Sequence, residues 1–227
     1  MPARDRITAI PVLMYHEIGD VNNNNYIRAS EFEAQVRWLA ENGYHTVTLA
    51  EAYQHFHDFK PIASKPVVLT FDDGYATFYD IAVPALQKYG FRATAFIVTG
   101  LLGRGGYMTW DQVIDIANQG MEIGSHTLTH SDLRTISGER LAREITEPKR
   151  LLEERTKTPV RFFCYPSGKY SDETLDGVKK AGYLGAVTTE YGPITPEQSP
   201  TVWPRIRILR GETNASFAAK IRQASGE

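Results

Sequence analysis

Apolar, β-branched runs and capped amphipathic stretches alternate along this chain about eight times, which restricts it to parallel βα architecture. A helix after each strand carries the chain back to the end from which it started, so the next strand runs parallel. The expected strands are 10–15, 46–48, 67–69, 93–98, 121–125, 160–164, 185–188 and 205–209. Between them, Ser30 with Glu33, Thr48 with Glu51 and Thr109 with Gln112 have capping-box spacing, and Ser171 opens a further helix. A helix over 81–88 accommodates Pro84 only near its first turn. A long one from Leu141 to Leu152 should kink at Pro148, and a last one spans 214–224. The fold class is therefore α/β, a (β/α) barrel of seven to eight parallel strands, with 1–227 as one domain.

Composition narrows the function classes. A net charge of -2 over 227 residues gives no footprint for nucleic acid or an anionic membrane. Apolar runs such as 93–98 are far too short to cross a bilayer. Cys164 is the single cysteine, so no internal disulfide forms and cysteine usage names no compartment. Met1-Pro2-Ala3-Arg4-Asp5 has no apolar stretch of export-signal type, and 21–25 reads as a polar loop.

The polar clusters fall directly after strands: His16, Asp72-Asp73, His126 with His130, and Pro166-Ser167. In a parallel barrel these ends converge on one face, where active sites sit. Two adjacent carboxylates after a buried strand repel each other unless a cation takes one and leaves the other free as a base. The plain alternative is an Asp-Asp-Gly turn between strand and helix. Ser125-His126-Thr127-Leu128-Thr129-His130 sets two imidazoles four residues apart, which on a helical turn faces both toward one ion. With Asp73 they make two histidines and a carboxylate, leaving positions open for water and substrate. Zn²⁺ suits that set best, with Co²⁺, Ni²⁺, Fe²⁺ or Mn²⁺ also compatible.

Thr70-Phe71-Asp72-Asp73-Gly74-Tyr75 together with Ser125 to His130 resembles the first two motifs of the family 4 carbohydrate esterases, the polysaccharide deacetylases. The resemblance implies a distorted (β/α) barrel, Asp72 as general base, and Asp73, His126 and His130 as metal ligands. It spans roughly His16 to Leu209. The third motif departs: where relatives carry Arg-Pro-Pro-Tyr-Gly, this chain has Cys164-Tyr165-Pro166-Ser167-Gly168. The arginine that orients the base is absent there, and Arg161 or Arg205 is the candidate replacement. No histidine follows His130, so the C-terminal Leu-x-His acid is missing as well. Leu13-Met14-Tyr15-His16 resembles instead the circularly permuted exopolysaccharide (poly-N-acetylglucosamine) deacetylases, which implies His16 as general acid. His45, His55 and His57 read as surface residues.

The implied reaction is metal-assisted removal of N-acetyl groups from an acetylated glycan, releasing acetate. Tyr75, Trp110, Tyr165, Pro166 and the Ser167 amide are then expected to contact substrate or oxyanion. Polymers of that kind lie outside the cytoplasm, so the resemblance implies an extracytoplasmic or cell-envelope location. Which polymer is the substrate stays open, as does the oligomeric state. The rival readings are a metal hydrolase acting on O-acetyl esters or small cyclic amides, a non-catalytic carbohydrate-binding relative, and an iron oxygenase, whose jelly-roll strands this alternation does not suggest.

Overall fold

The structure is a computed structural model that describes residues 7–19 and 26–226. The N-terminal stretch and the 21–25 loop therefore lie outside the described residues. Strands β1 (Val12–Tyr15), β5 (Pro66–Phe71), β6 (Thr94–Ile97), β7 (Glu122–Ser125), β8 (Phe162–Cys164), β9 (Gly185–Tyr191) and β10 (Trp203–Arg207) pair in parallel around a closed barrel. Closure is made by β1, which pairs β10 through Leu13 and Ile206 and pairs β5 from Val12–Val68 to Tyr15–Phe71. An eighth strand, β4 (His45–Thr46), lies beside the start of β5. A separate short pair, β2 (Glu17–Ile18) and β3 (Tyr26–Ile27), follows β1. The expected parallel barrel is thus seven strands closed plus one extra.

Alternation of side chains along each strand divides the apolar interior into two layers. Leu13, Tyr15, Leu69, Phe71, Ala95, Ile97 and Phe163 face the surrounding helices. Val12, Val68, Phe96, Phe162, Val187 and Trp203 fill the barrel itself. Helix α2 (Leu49–His57) adds Leu49, Ala52 and Phe56 to that inner layer, so it plugs the barrel at the end where the strands begin. Glu122 holds the plug by accepting hydrogen bonds from the N–H groups of Leu49 (2.9 Å) and Ala50 (3.1 Å). Further along the same inward face, Thr70, Asp72, Cys164 and Arg205 replace apolar side chains, and all are buried. The barrel is apolar at one end and polar at the other.

Most expected helices form with the anticipated caps: α2 behind Thr48 and Glu51, α4 (Trp110–Asn118) behind Thr109 and Gln112, α6 (Asp172–Lys180) behind Ser171, and α7 (Asn214–Ser225) at the C-terminus. Two details differ from the expectation. Helix α1 (Ala29–Glu41) is capped by Arg28 with Glu31, not Ser30 with Glu33, because the Glu31 carboxylate takes both the Arg28 N–H (3.0 Å) and its guanidinium (2.7 Å). The helix around Pro84 starts as a π turn, Phe78–Ala82, before α3 (Val83–Gln87); a wider turn relieves the clash of a proline ring with the carbonyl four residues back. The expected long helix forms as α5 (Gly138–Thr156), with Pro148 inside it.

Candidate active site

The strand ends bring the separate motifs to one cavity of about 340 Å³. His16 enters from β1, the Asp pair from β5, the two histidines from β7, Tyr165 and Ser167 from β8, Thr189 from β9 and Arg207 from β10. Asp73 Oδ1 lies 3.3 Å from His126 Nε2 and 3.4 Å from His130 Nε2. Donors each 2.0–2.1 Å from a tetrahedral ion are separated by roughly 3.4 Å, so this spacing fits a small divalent cation. His126 Nδ1 meets the Cys164 carbonyl at 2.8 Å, which makes Nδ1 the protonated nitrogen and leaves Nε2 free to ligate. Asp72, His126 and Cys164 also approach one another, but both Asp72 oxygens are already committed elsewhere. The Asp73 set is the one whose donors fit.

Asp72 is held by Arg205. Nη1 and Nη2 each reach one carboxylate oxygen at 2.7 Å, and the guanidinium also bonds Thr70 Oγ1 (2.9 Å), the Thr188 carbonyl (2.9 Å) and Cys164 Sγ (3.3 Å). Cys164 occupies the third-motif position where relatives carry arginine, and the guanidinium reaches that place from β10 instead. Arg161, the other candidate, is exposed. Burial pushes the Asp72 carboxyl up, but the Arg205 charge and hydrogen bonds outweigh it and hold the group well below the usual carboxylate range. His16 Nε2 lies 3.9 Å from Asp72 Oδ2. Burial draws this imidazole below its ordinary value, partly countered by the charges of Asp72 and Asp73.

The backbone at the site is unusual. Of seven described non-glycine residues with left-handed φ, four are here: Asp73, Thr127, His130 and Ser167. Such residues persist only where surrounding bonds over-determine them. The histidine pair is accordingly not on a helical turn; it sits in an irregular loop whose two positive-φ residues fold the rings to within 4.9 Å. Thr127 Oγ1 accepts the His130 N–H at 2.9 Å. Glu144, buried on α5, takes the N–H groups of Leu128 (3.0 Å) and Thr129 (2.9 Å) and the Thr129 hydroxyl (2.6 Å). Gly100 donates to the Leu128 carbonyl at 2.8 Å from the other side. Two neighbouring segments, α5 and the one that carries Gly100, thus clamp the loop that carries both imidazoles.

The other expected contacts divide. Ser167 lines the cavity and Pro166 is buried beside it in a 3-10 turn, Pro166–Gly168. Tyr165 is buried, its hydroxyl donating to the Thr201 carbonyl at 2.9 Å, so only its ring borders the cavity. Tyr75 stacks on Tyr107 at the rim. Trp110 lies against the Arg155 guanidinium, 4.5 Å from the ring centroid, and does not line the cavity. His45, His55 and His57 lie outside it; His45 is exposed, and His55 and His57 are partly buried. Glu144, Thr189 and Arg207 were not singled out from the sequence. Glu144 had a signal, a charge within the apolar stripe of Leu141, Ile145 and Leu152, and Arg207 shares strand parity with Arg205.

Comparison with known proteins agrees with this geometry. The sequence profile of the family described as Polysaccharide deacetylase matches residues 60–186. A Bacillus subtilis (strain 168) protein, provisionally named polysaccharide deacetylase YxkH, is 35% identical over 212 residues, covering 93% of this chain and 76% of that protein. The poly-beta-1,6-N-acetyl-D-glucosamine N-deacetylase of Escherichia coli (strain K12) is 26% identical over 86% of this chain, which spans 35% of that relative. The solved structure of Streptococcus pyogenes deacetylase PplD in complex with acetate superposes with TM-score 0.89 at 30% identity, covering 94% of this chain and 98% of that one.

Proposed function

This chain belongs to the polysaccharide deacetylase family, and from that premise we propose that it hydrolyses N-acetyl groups on an N-acetylglucosamine-containing glycan, with 1–227 acting as one domain. The observation that carries the proposal is the pair of carboxylates with opposite commitments: Asp73 Oδ1 between two imidazole nitrogens, and Asp72 locked to a guanidinium beside it. A divalent cation, Zn²⁺ by preference, held by Asp73, His126 and His130 would lower the pKa of a water to about 7 and polarise the acetyl carbonyl.

The chain's own residues supply the proton traffic. Asp72, ionised and oriented by Arg205, takes a proton from the attacking water as its oxygen bonds to the carbonyl carbon. The Ser167 N–H donates to the developing oxyanion. The C–N bond breaks as the sugar nitrogen gains a proton, giving acetate and a free amine. His16 delivers that proton. The water proton passes from Asp72 to His16, whose Nε2 lies 3.9 Å from Asp72 Oδ2, and on to the nitrogen. Arg205 beside the base supports catalysis over the reading of a carbohydrate-binding relative that has lost turnover.

The poly-N-acetylglucosamine relative supports a β-linked N-acetylglucosamine polymer as substrate, and such a polymer implies action outside the cytoplasm. No helix among the described residues is long and apolar enough to cross a membrane. Incubating metal-loaded protein with acetylated glucosamine oligomers, and separately with aryl acetates and cyclic amides, tests the assignment. Acetate from the oligomers, lost in Asp73→Ala, is the expected result; turnover confined to esters or cyclic amides would replace it.

A further inference from the structure

Next to His16 and Asp73 in the chain lies a group of side chains that the hydrolytic residues do not use. Glu17 follows His16 on β2 and pairs in register with Tyr26 on β3. Tyr26 thus sits beside Glu17 across the strand pair and next to Tyr75. The Tyr75 ring stacks on Tyr107 at 5.1 Å and 17°, and meets Tyr26 at 6.3 Å. Backbone bonds lock the three segments together: Ala76 N–H to the Gly106 carbonyl (2.9 Å), Met108 N–H to the Gly74 carbonyl (3.0 Å), and Ile18 N–H to Thr77 Oγ1 (3.3 Å). All four side chains are half-buried, and the wall begins two residues after Asp73.

A carboxylate set among tyrosine faces matches one kind of ligand. Aromatic rings take the apolar face of a sugar. Ring faces and a carboxylate together attract an ammonium group, through cation–π contact and charge-assisted hydrogen bonds. Glu17 is partly exposed, and a carboxylate has about four lone-pair sites with which to accept from it. Partial burial raises the Glu17 carboxyl above its ordinary value, with the Asp73 charge adding; a cation in the subsite relieves both effects. A neutral acetamide offers no such relief.

We propose that Glu17, Tyr26, Tyr75 and Tyr107 form a subsite for a protonated amino sugar, adjoining the place where the acetamide is cut. The proposal rests on the N-deacetylase reading, because that reaction converts a neutral acetamide into an ammonium. The glucosamine made in one turnover is then held by this wall while a neighbouring residue enters the metal site. Glu17 is a specificity residue that favours chains already partly deacetylated.

The test uses metal-loaded protein, a fully N-acetylated glucosamine tetramer, the same tetramer with one free amine, and the fully deacetylated tetramer. Glu17→Gln and Tyr107→Ala are compared with the parent after thermal melting shows that each is folded. The parent should process the mono-amino tetramer with kcat/KM about fivefold above the fully acetylated one, and Glu17→Gln should bring that ratio close to one. By calorimetry, the deacetylated tetramer should bind Glu17→Gln on the order of tenfold more weakly than the parent, and Tyr107→Ala should also weaken it. An unchanged substrate ratio in Glu17→Gln, or equal binding of the deacetylated tetramer to parent and Glu17→Gln, overturns the subsite. If the parent releases no acetate from any oligomer, the deacetylase reading fails and the binding comparison alone decides the subsite.

Discussion

Replacing Arg205 with methionine keeps most of the side-chain volume and removes the charge that holds Asp72. The wild-type guanidinium makes two 2.7 Å bonds to Asp72 and reaches Thr70, Thr188 and Cys164, all at buried positions. Removing one partner of a buried ion pair costs roughly 3–5 kcal/mol, because the remaining charge is stranded. Against a total stability of about 5–15 kcal/mol, that is a large fraction. Arg205→Lys keeps the charge but loses the two-pronged fork and should cost less, about 1.5–3 kcal/mol. Adding Asp72→Asn to Arg205→Met should recover about 1–3 kcal/mol, since the stranded charge is gone. Urea unfolding of metal-free protein at pH 7 measures all four forms without the contribution of bound metal.

The pH dependence has a definite sign. In the parent, Asp72 has a depressed folded pKa, so its stabilisation is present above about pH 4 and is lost as pH falls toward the folded value. In Arg205→Met, burial is opposed only by the weaker pull of His16 and His126, so the folded pKa rises, and the penalty is largest at neutral pH and is relieved as pH falls. The stability gap between parent and variant should therefore narrow between pH 7 and pH 4, and the acid limb of kcat/KM should move upward. A variant within about 1 kcal/mol of the parent at pH 7, with the acid limb unmoved, would refute the account of Asp72.

Glu144→Leu should weaken metal binding by about 10–100-fold in chelator competition, since three hydrogen bonds to the ligand loop are lost. Gly100→Ala places a Cβ 2.4 Å from the Leu128 carbonyl oxygen, so it should cost about 1–3 kcal/mol in urea unfolding and loosen the metal as well. His16→Ala should leave metal affinity unchanged in the same competition and lower kcat on acetamides by roughly 10²–10⁴. Trp110→Ala should cost about 1–3 kcal/mol of stability through loss of its contact with Arg155, seen as a lower melting temperature, while the KM for oligomers stays put.

The barrel and the meeting of Asp73, His126 and His130 were readable because they depend on local pattern. Alternating apolar runs give strands, capping pairs give helices, and a parallel barrel gathers whatever follows its strands. Arg205 was readable only as one of two candidates. Choosing it over Arg161 needs the inward parity of β10 and the pairing of β10 with β9 and β1, neither of which a linear reading supplies. The left-handed loop from Thr127 to His130 was misread as a helical turn because histidines four apart suit either geometry. What selects the loop is Glu144 on a later helix and Gly100 on an earlier segment, both tertiary contacts. For Trp110, expected at the groove from its neighbourhood in sequence, the ring lies against Arg155, which is distant in the chain.

The seam at β1 has a consequence for how competence is acquired during synthesis. The proposed cation-holding trio is complete once the segment after β7 is made, whereas His16 precedes it after β1 and Arg205 follows on β10, 133 positions from the carboxylate it grips. A nascent polypeptide that has emerged only as far as its eighth strand would already own the proposed ligands, while Asp72 still lacks its anchor. Metal capture should therefore precede turnover on the ribosome, and hydrolysis should switch on only when the final strand zips in beside the first.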